Sequence, residues 1–593
     1  MLKRAVLFIS ILFSLVVHSQ NALLVYGPYL QMAGKTSIRV NWHTDTTCSS
    51  IVKLGLIKTN LNQTAGSFSL TKQHSVFLGG LTPDTKYFYS VTNSTSTFVT
   101  DTFYFFTAPA NNKKIRIVAT GDCGTGMVTQ TNTKGAIMNF VQNKYVNCWL
   151  ILGDNAYENG LANEYANLFF APYQNNFIMH NTALYPCIGN HDYANNTINA
   201  ENKNVAYYSI FNVPTTGELG GLSSGTASYY SYNYANVHFI SIDSYGTEQS
   251  LKVYDTLSPQ YVWLKQDLSQ NNLMWTVVYF HHPPYTMGNH TSDWEGDLVN
   301  VRTYLTPLFE RSKVDLVLNG HSHVLERSWL MKGHTGAEAT FGKPTHAKDS
   351  SSARYDGTSN SCPYIKDTIN NKGVVYAVCG SSGKVTGIQP SYPHDAMYYS
   401  NNTKGMATVI EVDANRMDAF FIGEDSVVYD KFTIFKNIQK VTLINSISPQ
   451  AITLTASWNG NYNWSHNTIK TKQNTLPAFS NSVIIVTDSL NCFADTFKIY
   501  HFINAIKNHT FTNNKIKIYP NPTTGIITID FEEKITVKKI LIVSINGEQT
   551  TLHNFEIKDK SIEVILPKLI PGQYIIKLIT PTRVIQDKII LSD

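Results

Sequence analysis

The sequence predicts a multidomain chain in which an α/β domain is preceded by a β-sandwich and followed by small β domains. Three observations carry this. Strict apolar–polar alternation, as in Ser37-Ile38-Arg39-Val40-Asn41-Trp42-His43, recurs through the first hundred residues and marks half-buried strands. From Lys113 short, solidly apolar runs alternate with helical stretches, as strands buried on both faces do when helices cover them. Beyond Lys436 the β patterns return.

A chain of 593 residues holds about three to five domains. Hydrophobic residues make up 43% and charged residues 15%, which fits folded, β-rich, extracytoplasmic domains rather than a disordered chain. The net charge of +5 is a weak imbalance at this length and gives no reason to expect a nucleic-acid partner.

Residues 1–20 read as a secretory signal peptide: Lys3-Arg4, an apolar run from Ala5 to Val17, then His18-Ser19-Gln20. The run is short for a bilayer, no cysteine marks a lipid anchor, and no later stretch is long and apolar enough for a membrane helix. The expected mature protein has no integral membrane segment and is secreted or held at the cell surface after export through the periplasm.

The β-sandwich is expected over 21–110. Its Leu81-Thr82-Pro83-Asp84-Thr85-Lys86-Tyr87-Phe88-Tyr89 resembles the strand edge of fibronectin type III domains, where a tyrosine packs across a corner. The α/β domain is expected over 111–436, with strands at Ile115–Ala119, Trp149–Leu152, Phe239–Ile242, Trp275–Phe280 and Val314–Leu318. Ser258-Pro259 offers an N-cap and first-turn proline to a helix carrying Tyr261, Leu264 and Leu268 on one face. A small β module containing Val483 to Asp488 is expected over 437–508, and a last domain over 509–593. The last domain carries Ile518-Tyr519-Pro520-Asn521-Pro522-Thr523-Thr524-Gly525, Ile545-Asn546-Gly547, Pro571-Gly572-Gln573-Tyr574 and Lys588. In order and spacing these resemble the type IX secretion C-terminal sorting domain, which implies the type IX secretion machinery as a partner.

The seven cysteines lack CxxC spacing, which argues against a thiolate zinc site. Cys123, Cys148 and Cys187 lie in or beside strands and read as buried thiols. Cys362 and Cys379 are candidates for a disulfide, a pairing that sequence leaves open.

Five motifs follow apolar strands: Gly121-Asp122-Cys123-Gly124, Gly153-Asp154-Asn155-Ala156-Tyr157, Gly189-Asn190-His191-Asp192, His281-His282-Pro283-Pro284 and Gly320-His321-Ser322-His323. Ligand sites of α/β sheets lie at the carboxyl ends of strands, and glycine lets the backbone turn sharply there. Carboxylate, imidazole, amide and phenolate together suit iron, zinc and manganese.

This ordered set resembles the calcineurin-like metallophosphoesterase superfamily, and Tyr157 narrows the likeness to purple acid phosphatases. The resemblance covers about residues 24 to 435 and implies a metallophosphoesterase sandwich of two mixed sheets flanked by helices. It implies a dinuclear metal centre, Fe(III) plus a divalent ion (Zn, Mn or Fe). The ferric ion would be bound by Asp122, Tyr157, His323 and the bridging Asp154, and the divalent ion by Asp154, Asn190, His281 and His321. His191 and His290 match positions that neutralise phosphate and protonate the leaving group. Plant members have a second histidine where this chain has Thr291, and Glu295 is an alternative proton source. His282 is expected to orient its loop, Arg327 to form a buried ion pair, and His334, His346 and His394 to lie on the surface. The polar loop Gly333 to Lys372 is a candidate cover for the cleft.

The implied function is a secreted acid phosphatase acting on small-molecule phosphate esters, in which a metal-bound hydroxide attacks phosphate monoesters. The same site on diesters, nucleotides or polyphosphate is the nearest rival. A non-catalytic cell-surface binding protein is a rival of another class.

Overall fold

A computed structural model describes residues 22–592 apart from 95–97, 99–101, 111–112, 143, 368–371, 448–450, 478–481 and 503–515. The predicted signal peptide lies outside the described residues. The chain divides into two compact units, Met1–His501 and Phe502–Asp593.

The first unit is built on two mixed sheets. Parallel strands Ile115–Thr120, Cys148–Leu152 and Ala183–Cys187 sit inside a twelve-stranded sheet, flanked on one side by the antiparallel hairpin Met406–Asp413 and Arg416–Gly423. In a seven-stranded sheet, Trp275–Tyr279 and Leu316–Asn319 run parallel between Val237–Ser241 and Val375–Cys379. The facing sides interdigitate Ile117, Leu150 and Leu152 with Phe239, Val277 and Leu318, all fully buried. These strands are buried at every position because their other faces are covered too. Helix Val128–Val141 packs outside the first sheet through Ala136 and Ile137, and helix Pro259–Gln270 outside the second through Leu264 and Leu268. The second helix starts as predicted, with Ser258 Oγ accepting from the Tyr261 N–H at 3.1 Å.

The N-terminal β domain is hydrogen-bonded into the twelve-stranded sheet through a parallel contact between Leu30 and Ala183. Its long strand Ile38–Gly55 pairs with Leu24–Gln31 along one half and with Lys86–Thr92 along the other, and its pairing with Gln63–Leu78 shifts register between His43 and Cys48. Tyr87 is buried and its hydroxyl accepts from the Thr82 N–H at 3.0 Å, which ties down the predicted corner.

After the α/β region, Val441–Ile447, Ala494–Phe502, Ser482–Thr487 and Asn463–Trp464 form a four-stranded sheet beside the hairpin Ile452–Thr455 and Gln473–Leu476. Its core of Trp458, Trp464, Val486 and Phe497 includes Phe435 from the preceding region. The disulfide differs from the candidate pair: Cys362 is bonded to Cys492. Cys379 ends a central strand with its thiol buried 3.1 Å from Thr408 Oγ1, out of reach of a surface loop. Cys123, Cys148 and Cys187 are free and buried.

The described part of the expected cleft cover, 333–367, is more ordered than a polar loop. It holds a 3-10 turn Glu338–Thr340, a helical turn Lys343–His346 and strand Tyr364–Lys366. Folding it down buries His334 and His394, contrary to the surface placement expected, and leaves His346 partly buried. Spacing along the chain could not reveal this, because Tyr285 packs against both the His334 and the His394 rings from a distant segment.

The second unit contains two four-stranded antiparallel sheets, one with Ile526–Phe531 and Ser561–Ile565 at its centre and the other with Lys539–Ser544 and Gly572–Ile579. Ile527, Ile529, Ile540, Ile562, Ile576 and Ile589 fill its core. Among the described residues no helix is long and apolar enough to cross a membrane.

Candidate metal centre

Each of the five motifs leaves the carboxyl end of a strand: Asp122 after Ile115–Thr120, Asp154 after Cys148–Leu152, Asn190 after Ala183–Cys187, His281 after Trp275–Tyr279 and His321 after Leu316–Asn319. Asp122, Asp154 and His321 adopt positive φ of 55°, 48° and 68°, a cost accepted where side chains must turn back into one crevice. Close approach decides the glycines beside them. A Cβ at Gly153 (φ +87°) would lie 2.5 Å from His281 Nδ1, and one at Gly320 would lie 2.6 Å from Asp122 Oδ2.

All seven residues predicted as ligands come together. The Tyr157 hydroxyl lies 2.8 Å from Asp122 Oδ1, 3.0 Å from Asp154 Oδ2 and 3.3 Å from His323 Nε2. Asp154 Oδ2 is 3.2 Å from His281 Nε2, and His321 Nδ1 is 3.3 Å from His281 Nε2 and 3.2 Å from Asn190 Oδ1. All seven are buried.

Hydrogen-bond chemistry shows what such a cluster fits. Leu152 O can only accept, so the His281 Nδ1 at 2.9 Å carries hydrogen, and the neutral ring, the form that binds a metal, presents its lone pair at Nε2. Glu295 Oε2 sits 3.4 Å from His321 Nε2, which puts the hydrogen of the neutral ring there and a lone pair on Nδ1. Asn190 donates its amide to Asn195 Oδ1 at 2.6 Å, so its Oδ1 faces the cluster. Four lone-pair donors, Asp154 Oδ2, His281 Nε2, His321 Nδ1 and Asn190 Oδ1, therefore face one another. A cation between them relieves that repulsion, and the outer hydrogen bonds hold the rings in ligating orientation. On the other side Thr386 Oγ1 lies 3.0 Å from His323 Nδ1.

Electrostatics points the same way. Burial opposes charge on Asp154, yet His281, His191 and His321 together hold its carboxyl well below the usual carboxylate range. Burial likewise opposes protonation of His281, but Asp154 and Asp122 push it up to about 9, so that without a metal a proton on Nε2 takes the cation's place. Burial and then the Asp122 and Asp154 carboxylates raise Tyr157 well above its ordinary value, an effect that a trivalent ion would reverse.

The two residues predicted for acid–base work lie further out, with side chains 22% exposed for His191 and 31% for His290, so both can meet a solvent-borne substrate. His191 donates from Nδ1 to Glu158 O at 2.8 Å and turns Nε2 toward Asp154, 4.0 Å away. His290 stacks on His321 and bonds through Nδ1 to Glu295 Oε2 at 2.8 Å.

Glu295 acts as an acceptor in this arrangement. Burial raises its pKa, but hydrogen bonds from His290 and His321 and from the Thr291 N–H hold it well below the carboxylate range, as an acceptor. Thr291 turns its hydroxyl inward to Met287 Sδ, 3.3 Å away. His282 is buried with Nδ1 2.8 Å from Ser244 Oγ, and Arg327 pairs with Asp430 at 2.6 Å, as expected of both. Burial keeps His282 well below its ordinary pKa.

Two partners of the site escaped sequence reasoning. The Asp192 carboxylate accepts from the Asn155 and Gly189 N–H groups and the Tyr165 hydroxyl, and so locks the Asp154 loop to the Asn190 loop. Its place in Gly189-Asn190-His191-Asp192 was the available signal. Lys384, with Nζ 3.8 Å from the centre of the Tyr157 ring, belongs to a turn that carried no motif.

Residues 115–325 match the calcineurin-like phosphoesterase family, and residues 25–107 match the purple acid phosphatase N-terminal domain. The chain thus carries a purple acid phosphatase N-terminal domain ahead of a calcineurin-like phosphoesterase domain, and its relatives are purple acid phosphatases. Residues 517–592 add a secretion system C-terminal sorting domain, which implies export to the surface or beyond. Probable purple acid phosphatase 20 of Arabidopsis thaliana is 25% identical over 318 residues, 50% of this chain and 68% of that one. Purple acid phosphatase 15 of the same plant is 26% identical over 326 residues, 48% of this chain and 57% of that one. The match thus spans little more than half of some of these relatives. The purple acid phosphatase PPD1 of yellow lupin (Lupinus luteus) seeds shares the fold, with a TM-score of 0.53 at 17% identity over 70% of this chain and 75% of that one. Purple acid phosphatases use a dinuclear metal centre, and the buried Asp–His cluster fits one.

Proposed function

We propose that this chain is an exported acid phosphatase that hydrolyses small-molecule phosphate monoesters at a dinuclear centre. Asp122, Tyr157, His323 and Asp154 hold Fe(III), and Asp154, Asn190, His281 and His321 hold a divalent ion, zinc, manganese or iron. The anionic phenolate and carboxylates suit the trivalent ion, while neutral imidazoles and an amide leave the divalent ion more electrophilic. When bound, the pair supplies Lewis acidity toward water and phosphate.

The observation that carries this reading is the convergence of the four lone-pair donors beside His191 and His290 at the open side. His191 neutralises phosphoryl oxygens beside Asp154. His290 gives the departing alkoxide its proton, with Glu295 orienting the ring. The β domain at 21–110 and the module at 437–508 flank the catalytic region 111–436. The terminal domain 509–593 engages the type IX secretion machinery after passage through the periplasm.

Purified, metal-loaded protein assayed on nitrophenyl phosphate, its diester and ATP tests the substrate class. Preference for the monoester is expected. Faster turnover of the diester or ATP would replace it with the rival phosphodiesterase or nucleotide reading, and a metal-loaded protein inert to all three would favour a binding protein.

A further inference from the structure

We propose that Lys384 contacts the phosphate oxygens of the substrate, an inference that rests on the phosphoesterase reading of the site. The turn bearing it follows the strand Val375–Cys379 and is clamped to the centre at two points. At Gly383 a Cβ would meet Asp122 O at 2.1 Å, and Thr125 Oγ1 donates to Gly383 O at 3.0 Å. Two residues beyond Lys384, Thr386 Oγ1 lies 3.0 Å from His323 Nδ1. The lysine is therefore delivered to the pocket by a turn that cannot slide.

Its ammonium sits 3.8 Å from the centre of the Tyr157 ring, and that ring also packs against His191, ring centres 4.6 Å apart. The residue is partly buried, and its ammonium has no carboxylate or hydrogen-bond acceptor among the described residues. A cation–π contact returns only part of the hydration that such a group gives up. The nearby carboxylates Asp122 and Asp154 are engaged within the cluster, and a cation beside two metal ions is repelled unless an anion joins them. Phosphate is the anion this site is built to receive. Lysine binds it as a point charge with three donors, and thereby offsets the histidine that Thr291 replaces.

The phosphate in contact is either the one being transferred or a second one on the same substrate. Calorimetric titration of metal-loaded wild type, Lys384→Met and Lys384→Arg with orthophosphate and pyrophosphate distinguishes them. Weakening of both anions by about tenfold in Lys384→Met, with metal content unchanged and recovery to within about threefold in Lys384→Arg, assigns the transferred phosphate. Weakening of pyrophosphate alone assigns a second phosphate. Equal affinity of wild type and Lys384→Met for both anions overturns the proposal, as does loss of metal in Lys384→Met, which would make the residue part of the metal site. A wild type that binds phosphate but hydrolyses no ester defeats the phosphatase reading and leaves the contact standing; one that binds neither anion defeats both.

Discussion

The imidazole of His290 stacks on that of His321, ring centres 3.7 Å apart and planes inclined at 29°, and Glu295 Oε2 reaches both rings, at 2.8 Å from His290 Nδ1 and 3.4 Å from His321 Nε2. One carboxylate thus orients a residue predicted to bind metal and a residue predicted to give up a proton. Replacing His290 by Ala should lower kcat on an alkyl phosphate by about a hundredfold, and on nitrophenyl phosphate, whose leaving group needs little protonation, by less than about tenfold. Bound metal should not change. Equal losses on the two esters would remove His290 from the acid role.

Gly153 has no space for a methyl group, since a Cβ there meets His281 Nδ1 at 2.5 Å and the backbone is left-handed at φ +87°. Gly153→Ala should displace His281, lower metal content well below that of the wild type and destabilise the fold by about 1–3 kcal/mol. Metal analysis and urea unfolding read the two effects.

The Cys362–Cys492 bond spans 130 residues and ties the segment after the 3-10 turn to the small β module. Cys362→Ser should cost about 2–5 kcal/mol of stability in denaturant unfolding, because the unfolded chain regains a large loop. Turnover of nitrophenyl phosphate at 25 °C should stay within about twofold, since neither cysteine approaches the metal cluster.

Glu326 is fully buried beneath the His290 loop, and burial, partly offset by hydrogen bonding from Thr286, raises its pKa from 4.5 to about 7. The native state therefore holds this proton more tightly than the unfolded chain. Its effect on stability is absent below about pH 4.5, and stability then falls as pH rises to about 7 and levels off above. Glu326→Gln should flatten this decline by up to about 3 kcal/mol between pH 4.5 and 8, read by urea unfolding at the two pH values.

Much of this architecture is legible locally. Ser258 announces its helix because capping is decided within three residues, and each of the five motifs sits at a strand end because a run such as Cys148–Leu152 has one way to end in Gly-Asp. What was missed depends on segments distant in sequence. Cys492 becomes the partner of Cys362 only when the small β module packs on Phe435. His334 and His394 are buried by residues far from them in sequence. Glu295 reads as a free acid until His290, His321 and the Thr291 N–H close on its carboxylate. Lys384 carries no motif, and only the fold brings it to Tyr157.

The most direct test of the central claim is elemental analysis of the purified protein together with its visible spectrum, for the wild type and Tyr157→Phe. The account predicts two metal ions per chain, at least one of them iron, and a visible charge-transfer band that disappears in Tyr157→Phe. A colourless, iron-free wild type, or a band that survives Tyr157→Phe, would contradict it.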